Sequence, residues 1–271
     1  MPKVSIIMGA RNCEKTIQKC IDSIFAQTFT DWEFIICDDA SEDGTGQLLE
    51  NFQKVHSEKI IVLHNKERQF LAYSLNKCLR IARGTYIARM DADDISLPER
   101  LEKQVNFLDT HPEYAVVGTA MIPFDESGTK QPRYMITRPQ NTDLLLRAPF
   151  AHATIMMRKE AYDALDGYTV CKRTERGQDH DLWFRFYAAG FKGYNLPEAL
   201  YLVLEDAQAM KRRTFRSRVY AVQTKIIGYR LLHYPVYRYI FALKPLVAAI
   251  VPPGIMRSYH RAKDKQSKKS I

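Results

Sequence analysis

Over the first hundred residues, short apolar runs alternate with amphipathic stretches, and that alternation leaves the chain few folds. VSIIM (4–8), EFIIC (33–37), KIIVLH (59–64) and TYIARM (85–90) are short, near-continuous apolar runs that read as buried strands. Between them, Ile17, Cys20, Ile21, Ile24 and Phe25 share one helical face, as do Leu48, Leu49, Phe52 and Val55, and then Leu71, Leu75, Cys78 and Leu79. Asn12 stands where it would cap the first of these helices. Strands joined by helices run parallel, with helices covering both faces, so the expected class is α/β with a mostly parallel central sheet and flanking helices. Ligands of such sheets gather at the carboxyl ends of the strands. Here those ends carry GARN, DDASEDG and MDADD.

Further along, Ser96, Pro98 and Glu99 have the spacing of a capping box, opening a helix with Leu101, Val105 and Leu108 inward. YAVVGTAM (114–121) and ATIMMR (153–158) read as strands, and FDESGTKQPR between them as a surface loop. GQDHDLWFRFYAAG (177–190) gives a helix with Leu182, Trp183, Phe186 and Tyr187 on one face. The formal net charge of +9 is unevenly spread: residues 211–271 hold fifteen Lys or Arg against one acid, Asp264. Residues 234–260 are apolar and aromatic, broken by Arg238, Lys244 and prolines. No run there reaches the roughly 18 apolar residues of a membrane span. Such a segment suits the interface of an anionic membrane, with packing on the rest of the chain and contact with nucleic acid as the alternatives. Five scattered cysteines without CxxC spacing suit reduced cytosolic thiols, and the amino terminus has no secretory pattern.

The most pointed feature is YIARMDADDISLPER, with Asp91, Asp93 and Asp94 crowded at a strand end. On extended backbone, Asp91 and Asp93 point the same way. Two converging carboxylates force a proton onto one of them unless a cation intervenes. An oxygen-only site favours Mg²⁺ or Mn²⁺ and leaves positions for phosphate oxygens, so a nucleotide diphosphate is the natural guest. The competing reading is that Asp93 and Asp94 decorate a helix N-terminus. That suits Asp94 better than the Asp91–Asp93 pair.

VSIIM-x-A-x-N, DWEFIICDDASEDGT, ARGTYIARMDADDISLPERLEKQVNFLDTHPEYAVVG and GQDHDLWFR, taken in order from Pro2 to Tyr201, resemble the family 2 glycosyltransferases. The resemblance implies a GT-A fold whose first half is a Rossmann-like nucleotide-binding unit. It implies inverting transfer of a sugar from a nucleotide diphosphate sugar, a UDP-sugar favoured, to an acceptor hydroxyl, with Mn²⁺ or Mg²⁺. Asp39 would accept the base N3–H, Asp38 would support the loop or ribose, and Ala10, Asn12 and Ala92 would line the nucleotide. Asp93 is the expected metal ligand, Asp91 contacts ribose or metal-bound water, and Asp94 lies at the helix start or on the sugar. Asp179 is the expected general base, and Asp181 a structural neighbour. Weaker claims to donor or acceptor contact fall to His152, Gln178, Trp183 and Arg212. Asn76 is expected to be structural, and the loop Lys172–Arg176 to act as an acceptor lid.

Three departures stand out: Arg11 in GARN, Phe70 where relatives often carry glycine, and LVLEDAQAMKRR where many carry histidine. In that last stretch Lys211, Arg212 and Arg213 are the candidate diphosphate contacts. The expected organisation is a catalytic domain over 1–210, with nucleotide-sugar (1–95) and acceptor (96–210) halves, and a basic extension over 211–271. The expected partners are a nucleotide sugar, an oligosaccharide or lipid-linked glycan, and an anionic membrane surface through residues 235–271, at the cytoplasmic face; nucleic acid is not expected. Nucleotidyl transfer to a sugar phosphate and a non-catalytic module on a degenerate GT-A fold are the alternatives. GARN is short and glycine-poor for nucleotidyl transfer, and intact Asp93 and Asp179 weigh against a non-catalytic module.

Overall fold

A computed structural model describes residues 1–205 and 214–250. The expected early strands form as β1 (Val4–Ala10), β2 (Trp32–Asp38), β3 (Ile60–His64) and β4 (Tyr86–Arg89), paired in parallel in the order β3-β2-β1-β4. The helices between them are α1 (Ile17–Phe25), α2 (Thr45–Val55) and α3 (Phe70–Leu79). Beyond β4 come β5 (Ile95–Ser96), α4 (Arg100–Thr110), β6 (Val116–Asp125), β7 (Gly128–Thr129), β8 (Met156–Arg158), α5 (Lys159–Ala164), α6 (Gln178–Ala188) and β9 (Gly193–Leu204). β8 inserts antiparallel between β4 and β6, and β9 runs parallel to β6 with register shifts near Ala120. The result is a mixed sheet with its first half wholly parallel, the architecture of a GT-A fold.

The pleat sorts the core onto two faces. Ile6, Met8, Phe34 and Ile36 pack on one side with Ile17, Ile21, Ile24, Leu101 and Leu108. Ile7, Ile35 and Cys37 face the other way, toward Leu75, Cys78, Leu182 and Trp183. Because α3 and α6 lie on this second face, the turn after β4 and the start of α6 can serve one cleft.

Several local expectations are corrected. Asn12 does not cap α1, which begins at Ile17 after Thr16; Asn12 has a left-handed φ of 49° instead. Ser96 belongs to β5, and α4 starts after Glu99 with no side-chain cap, so the capping box does not form. β5 pairs with β9, which holds Ser96 in extended backbone. Within the supposed surface loop, β6 continues to Asp125 and turns back into β7.

Residues 215–243 pack on the domain. α7 (Phe215–Leu231) lies on α6 so closely that a Cβ on Gly228 would stand 2.1 Å from the Phe184 ring. Tyr229, Tyr234 and Ala242 join the core on the α6 face. α7 buries Lys225 to 7% exposure, with Nζ donating to the Leu145 carbonyl at 3.3 Å. Burial pushes the ammonium down to about 8, helped by the charge of Lys244. A lysine with a depressed folded pKa costs stability at neutral pH, and the cost fades as pH rises from about 8 toward the unfolded value near 10.4. Lys225→Met is therefore expected to raise the melting temperature at pH 7 and to weaken its rise between pH 8 and 10. A lower melting temperature at pH 7 would refute this account.

Candidate active site

Two loops at the ends of β1 and β2 build the first wall. The Asp39 backbone N–H donates to the Ala10 carbonyl at 2.8 Å. Asp38 Oδ1 accepts from the Ser41 N–H (3.2 Å) and hydroxyl, holding the loop. Asn12 accepts from the Glu42 N–H at 2.8 Å. Arg11 reaches across to the carbonyls of Asp39 and Ala40 and pairs with Glu42 at 2.7 Å, so this unusual residue pins the loop. Asp39 is 5% exposed and accepts from Asn65 Nδ2 (2.8 Å) and from the N–H groups of Gln69 (2.7 Å) and Phe70 (2.9 Å). A carboxylate offers about four acceptor positions. Among the described residues three are taken, which leaves capacity for one further donor. Asp39 lines a cavity of about 190 Å³ with Gly9, Ala10, Phe70 and Ser74.

The second wall is the turn after β4. The strand ends at Arg89, and residues 91–94 form a turn closed by the Asp94 N–H on the Asp91 carbonyl at 3.3 Å. Asp91 and Asp93 are therefore placed by a turn and not by strand alternation. Their surroundings differ: Asp91 is half-buried and paired with Arg89 at 2.7 Å, Ala92 is buried, and Asp93 is exposed. Asp94 is 3% exposed and accepts from the Leu204 N–H at 2.8 Å. Burial, with the charges of Asp91 and Asp93, pushes its carboxyl up to about 8. Asp94 thus ties the turn to β9; it neither opens a helix nor is open to a sugar. Among the described residues no three His, Cys, Asp or Glu side chains converge on one point. An acidic turn that crowds its own carboxylates fits a divalent cation, which Asp91 and Asp93 would hold.

α6 supplies the third wall. Gly177, at φ 95°, turns the chain into the helix, and Gln178 and Asp179 are its first residues. Burial pushes the Asp179 carboxyl up, but His180 and the backbone N–H groups outweigh it, holding the group below the usual carboxylate range. The side chain keeps 27% exposure. The charges of Asp179 and Asp91 favour the protonated form of His152. Burial and the Arg89 charge push His152 down to about 4, leaving it neutral. Its Nε2 shares a hydrogen bond with the Tyr168 hydroxyl at 2.9 Å, and its Nδ1 has no partner among the described residues. Asp181 is engaged by Arg173 (2.6 Å), Arg185 (2.9 Å) and Thr169 (2.6 Å), a structural role. Trp183 is fully buried between Phe150, Phe186 and His152, so its ring cannot receive a sugar. Asn76 exchanges two hydrogen bonds with the Tyr168 backbone, at 2.7 and 2.8 Å. Lys211, Arg212 and Arg213 lie outside the described residues.

Residues 5–172 match the model of glycosyl transferase family 2. The chain is 46% identical over 273 residues to the putative glycosyltransferase EpsE of Bacillus subtilis, covering all of this chain and 97% of that protein. The chain belongs to glycosyl transferase family 2. Also similar to this family 2 chain is the putative teichuronic acid biosynthesis glycosyltransferase TuaG of Bacillus subtilis, 29% identical over 73% of the chain and 77% of TuaG. In structure, S. aureus TarS in complex with UDP-GlcNAc superposes with a TM-score of 0.68 at 19% identity, over 83% of this chain and 66% of that one. The mannosyltransferase PcManGT of Pyrobaculum calidifontis, in complex with GDP-Man and Mn²⁺, gives 0.61 at 19% identity, over 96% and 80%. The GT-A fold expected from the motifs is the fold of this family 2 protein.

Two groups in the family 2 site escape sequence reasoning. Arg89 reads as one charge in an apolar run, and only burial reveals it as the partner of Asp91. Phe70 was legible as a departure from glycine, but not as a left-handed residue, which it is at φ 65°. Its ring lies 4.4 Å from the Arg68 guanidinium. A side chain in left-handed backbone costs about 1–2 kcal/mol. Phe70→Gly should therefore unfold at higher urea than Phe70→Ala, by roughly 1 kcal/mol, the reverse of ordinary helix preference. Equal or inverted stabilities would contradict the strain.

Proposed function

We propose that the protein transfers a sugar from a nucleotide diphosphate sugar, with UDP favoured, to a hydroxyl of a lipid-linked glycan, inverting the anomeric centre, during cell-surface polysaccharide synthesis. The observation that carries this reading is the acidic turn after β4, where Asp91 pairs with buried Arg89 and Asp93 is exposed, together with the cavity that Asp39 lines. The base sits in the cavity under Phe70, where the remaining acceptor capacity of Asp39 suits the single N3–H donor of uracil. Asp38, Ala10 and Asn12 shape the ribose side, and Asp93 with Asp91 holds Mn²⁺ or Mg²⁺. That ion, when bound, neutralises charge on the departing diphosphate.

Asp179, ionised at neutral pH, accepts the proton of the acceptor hydroxyl during attack. Neutral His152 and Gln178 line the same end of the cleft. One displacement with base and leaving group on opposite sides inverts the sugar. The relatives' names agree with this class of donor: TarS is described with UDP-GlcNAc and PcManGT with GDP-Man and Mn²⁺. A relative 37% identical over 110 residues is named as a glucosyltransferase acting on an α-D-GlcNAc-diphosphoundecaprenol. In this reading residues 1–210 are the catalytic domain and 211–271 its extension. Asp179→Asn should slow transfer by about 10²–10⁴-fold while Mn²⁺–UDP affinity stays within twofold. Undiminished transfer would remove Asp179 as the base.

The extension places the enzyme on the membrane's cytoplasmic face. No described helix is long and apolar enough to cross a membrane. The 3₁₀ stretch Val236–Leu243 and the short α8 (Lys244–Ile250) leave Val236, Tyr237, Ile240 and Val247 84%, 71%, 65% and 56% exposed beside Arg238 and Lys244. Apolar side chains flanked by cations suit an anionic lipid interface. Residues 251–271 lie outside the described residues. Val236→Asp combined with Ile240→Asp should abolish sedimentation with phosphatidylglycerol vesicles, and sedimentation at the wild-type level would refute the membrane assignment.

A further inference from the structure

The segment leading into α6 borders a second cavity, of about 320 Å³, that shares Arg68, Phe70 and Glu175 with the nucleotide cavity. We propose that this second cavity binds the diphosphate of an isoprenoid-diphosphate-linked acceptor, a subsite that rests on the sugar-transfer reading above. Among the described residues, Arg68, Lys172 and Arg216 line it together with the carboxylate of Glu175. The donor's diphosphate belongs at the acidic turn, where a cation mediates its binding. Here the lining is cationic, so an anion is received directly.

Two of the guanidinium groups are oriented by rings. Arg68 lies 4.4 Å from the centre of Phe70, and Arg216 lies 5.4 Å from that of Tyr220 while donating to its hydroxyl at 2.8 Å. Stacking holds the plane of a guanidinium and leaves other N–H groups for phosphate oxygens. The 17-residue α7 starts at the same wall, with Thr214 as its cap, and adds the positive end of its dipole. The three cations Arg68, Lys172 and Arg216 match a diphosphate better than a single carboxylate. Phe215, between the lining residues Thr214 and Arg216, is 70% exposed and offers an apolar contact for the isoprenoid. Lys172 and Arg176 lie in the segment that runs directly into Asp179, so an acceptor anchored here leads toward the base.

Titration calorimetry of the full chain with geranyl diphosphate in EDTA tests this. The wild type should bind it, and geranyl monophosphate more weakly. Lys172→Gln with Arg216→Gln should weaken geranyl diphosphate about tenfold or more while Mn²⁺–UDP affinity stays within twofold. Lys54→Gln, an exposed charge on α2 away from the cavity, should change neither. Three outcomes overturn the subsite: no metal-independent binding, an equal loss in Lys54→Gln, or a parallel loss of Mn²⁺–UDP affinity, which would assign the cavity to the donor's phosphates. Failure of the transferase reading itself has a different signature, since the wild type would then neither bind Mn²⁺–UDP nor release nucleotide from any nucleotide sugar.

Discussion

Arg89 and Arg100 lie beneath the acidic turn with almost no access to water, 2% and 0% exposed. A buried charge costs several kcal/mol unless its surroundings replace the lost hydration. Asp91 does this for Arg89: burial alone would lower the guanidinium pKa, and the carboxylate holds it above its ordinary value. Among the described residues Arg100 has no carboxylate within ion-pair distance. It donates to the Arg89 carbonyl at 2.6 Å and to Gln104 at 3.1 Å, and it faces the Tyr201 ring at 4.9 Å, so burial brings it down to about 10. The Tyr201 hydroxyl in turn accepts from the Asp91 N–H at 3.1 Å. The acidic turn is therefore the upper edge of a buried polar network joining β4, α4 and β9, which fixes where its carboxylates stand.

Strain gathers on the nucleotide side of the same cleft. Asn12, Ala40 and Phe70 all have left-handed backbone, φ 49°, 53° and 65°. Each lies at a bend where a loop turns toward the cleft, and each is held by bonds from outside its own turn. Arg11 grips the Ala40 carbonyl, Asp39 takes the Phe70 N–H, and Asn12 and the 41–42 segment exchange hydrogen bonds. Such strain persists only where the surroundings over-determine the backbone. The departure at Arg11 thus replaces no contact; it supplies one of the restraints.

Much of this was legible in the sequence because it depends on periodicity. Strands of alternating facing and helices with one apolar stripe have local signatures, so β1 to β4 and α1 to α3 stand close to where the pattern puts them. Capping was less legible. Ser96 and Glu99 have the right spacing, yet β9 takes Ser96 into the sheet, and a distant strand leaves no local mark. The acidic cluster was visible as a cluster, but its three carboxylates could not be told apart. Leu204 claims Asp94 and Arg89 claims Asp91 through contacts that only folding creates. Trp183 shows the same limit: a helical stripe marks it as inward-facing or cleft-facing, and the packing of Phe150 and Phe186 decides for burial.

By itself, the sequence determined the alternating parallel architecture, the strand ends at which polar residues collect, and membership of a family whose motifs occur in order. Those properties are local or linear, fixed by side-chain period and by chemistry at short spacing. Only the tertiary structure decided that Arg89 pairs with Asp91, that Asn65, Gln69 and Phe70 donate to Asp39, and that Tyr229, Tyr234 and Ala242 join the core. Each depends on which distant groups fill a carboxylate's lone pairs or a ring's faces. Those partners are chosen when sheet and helices close and water is excluded.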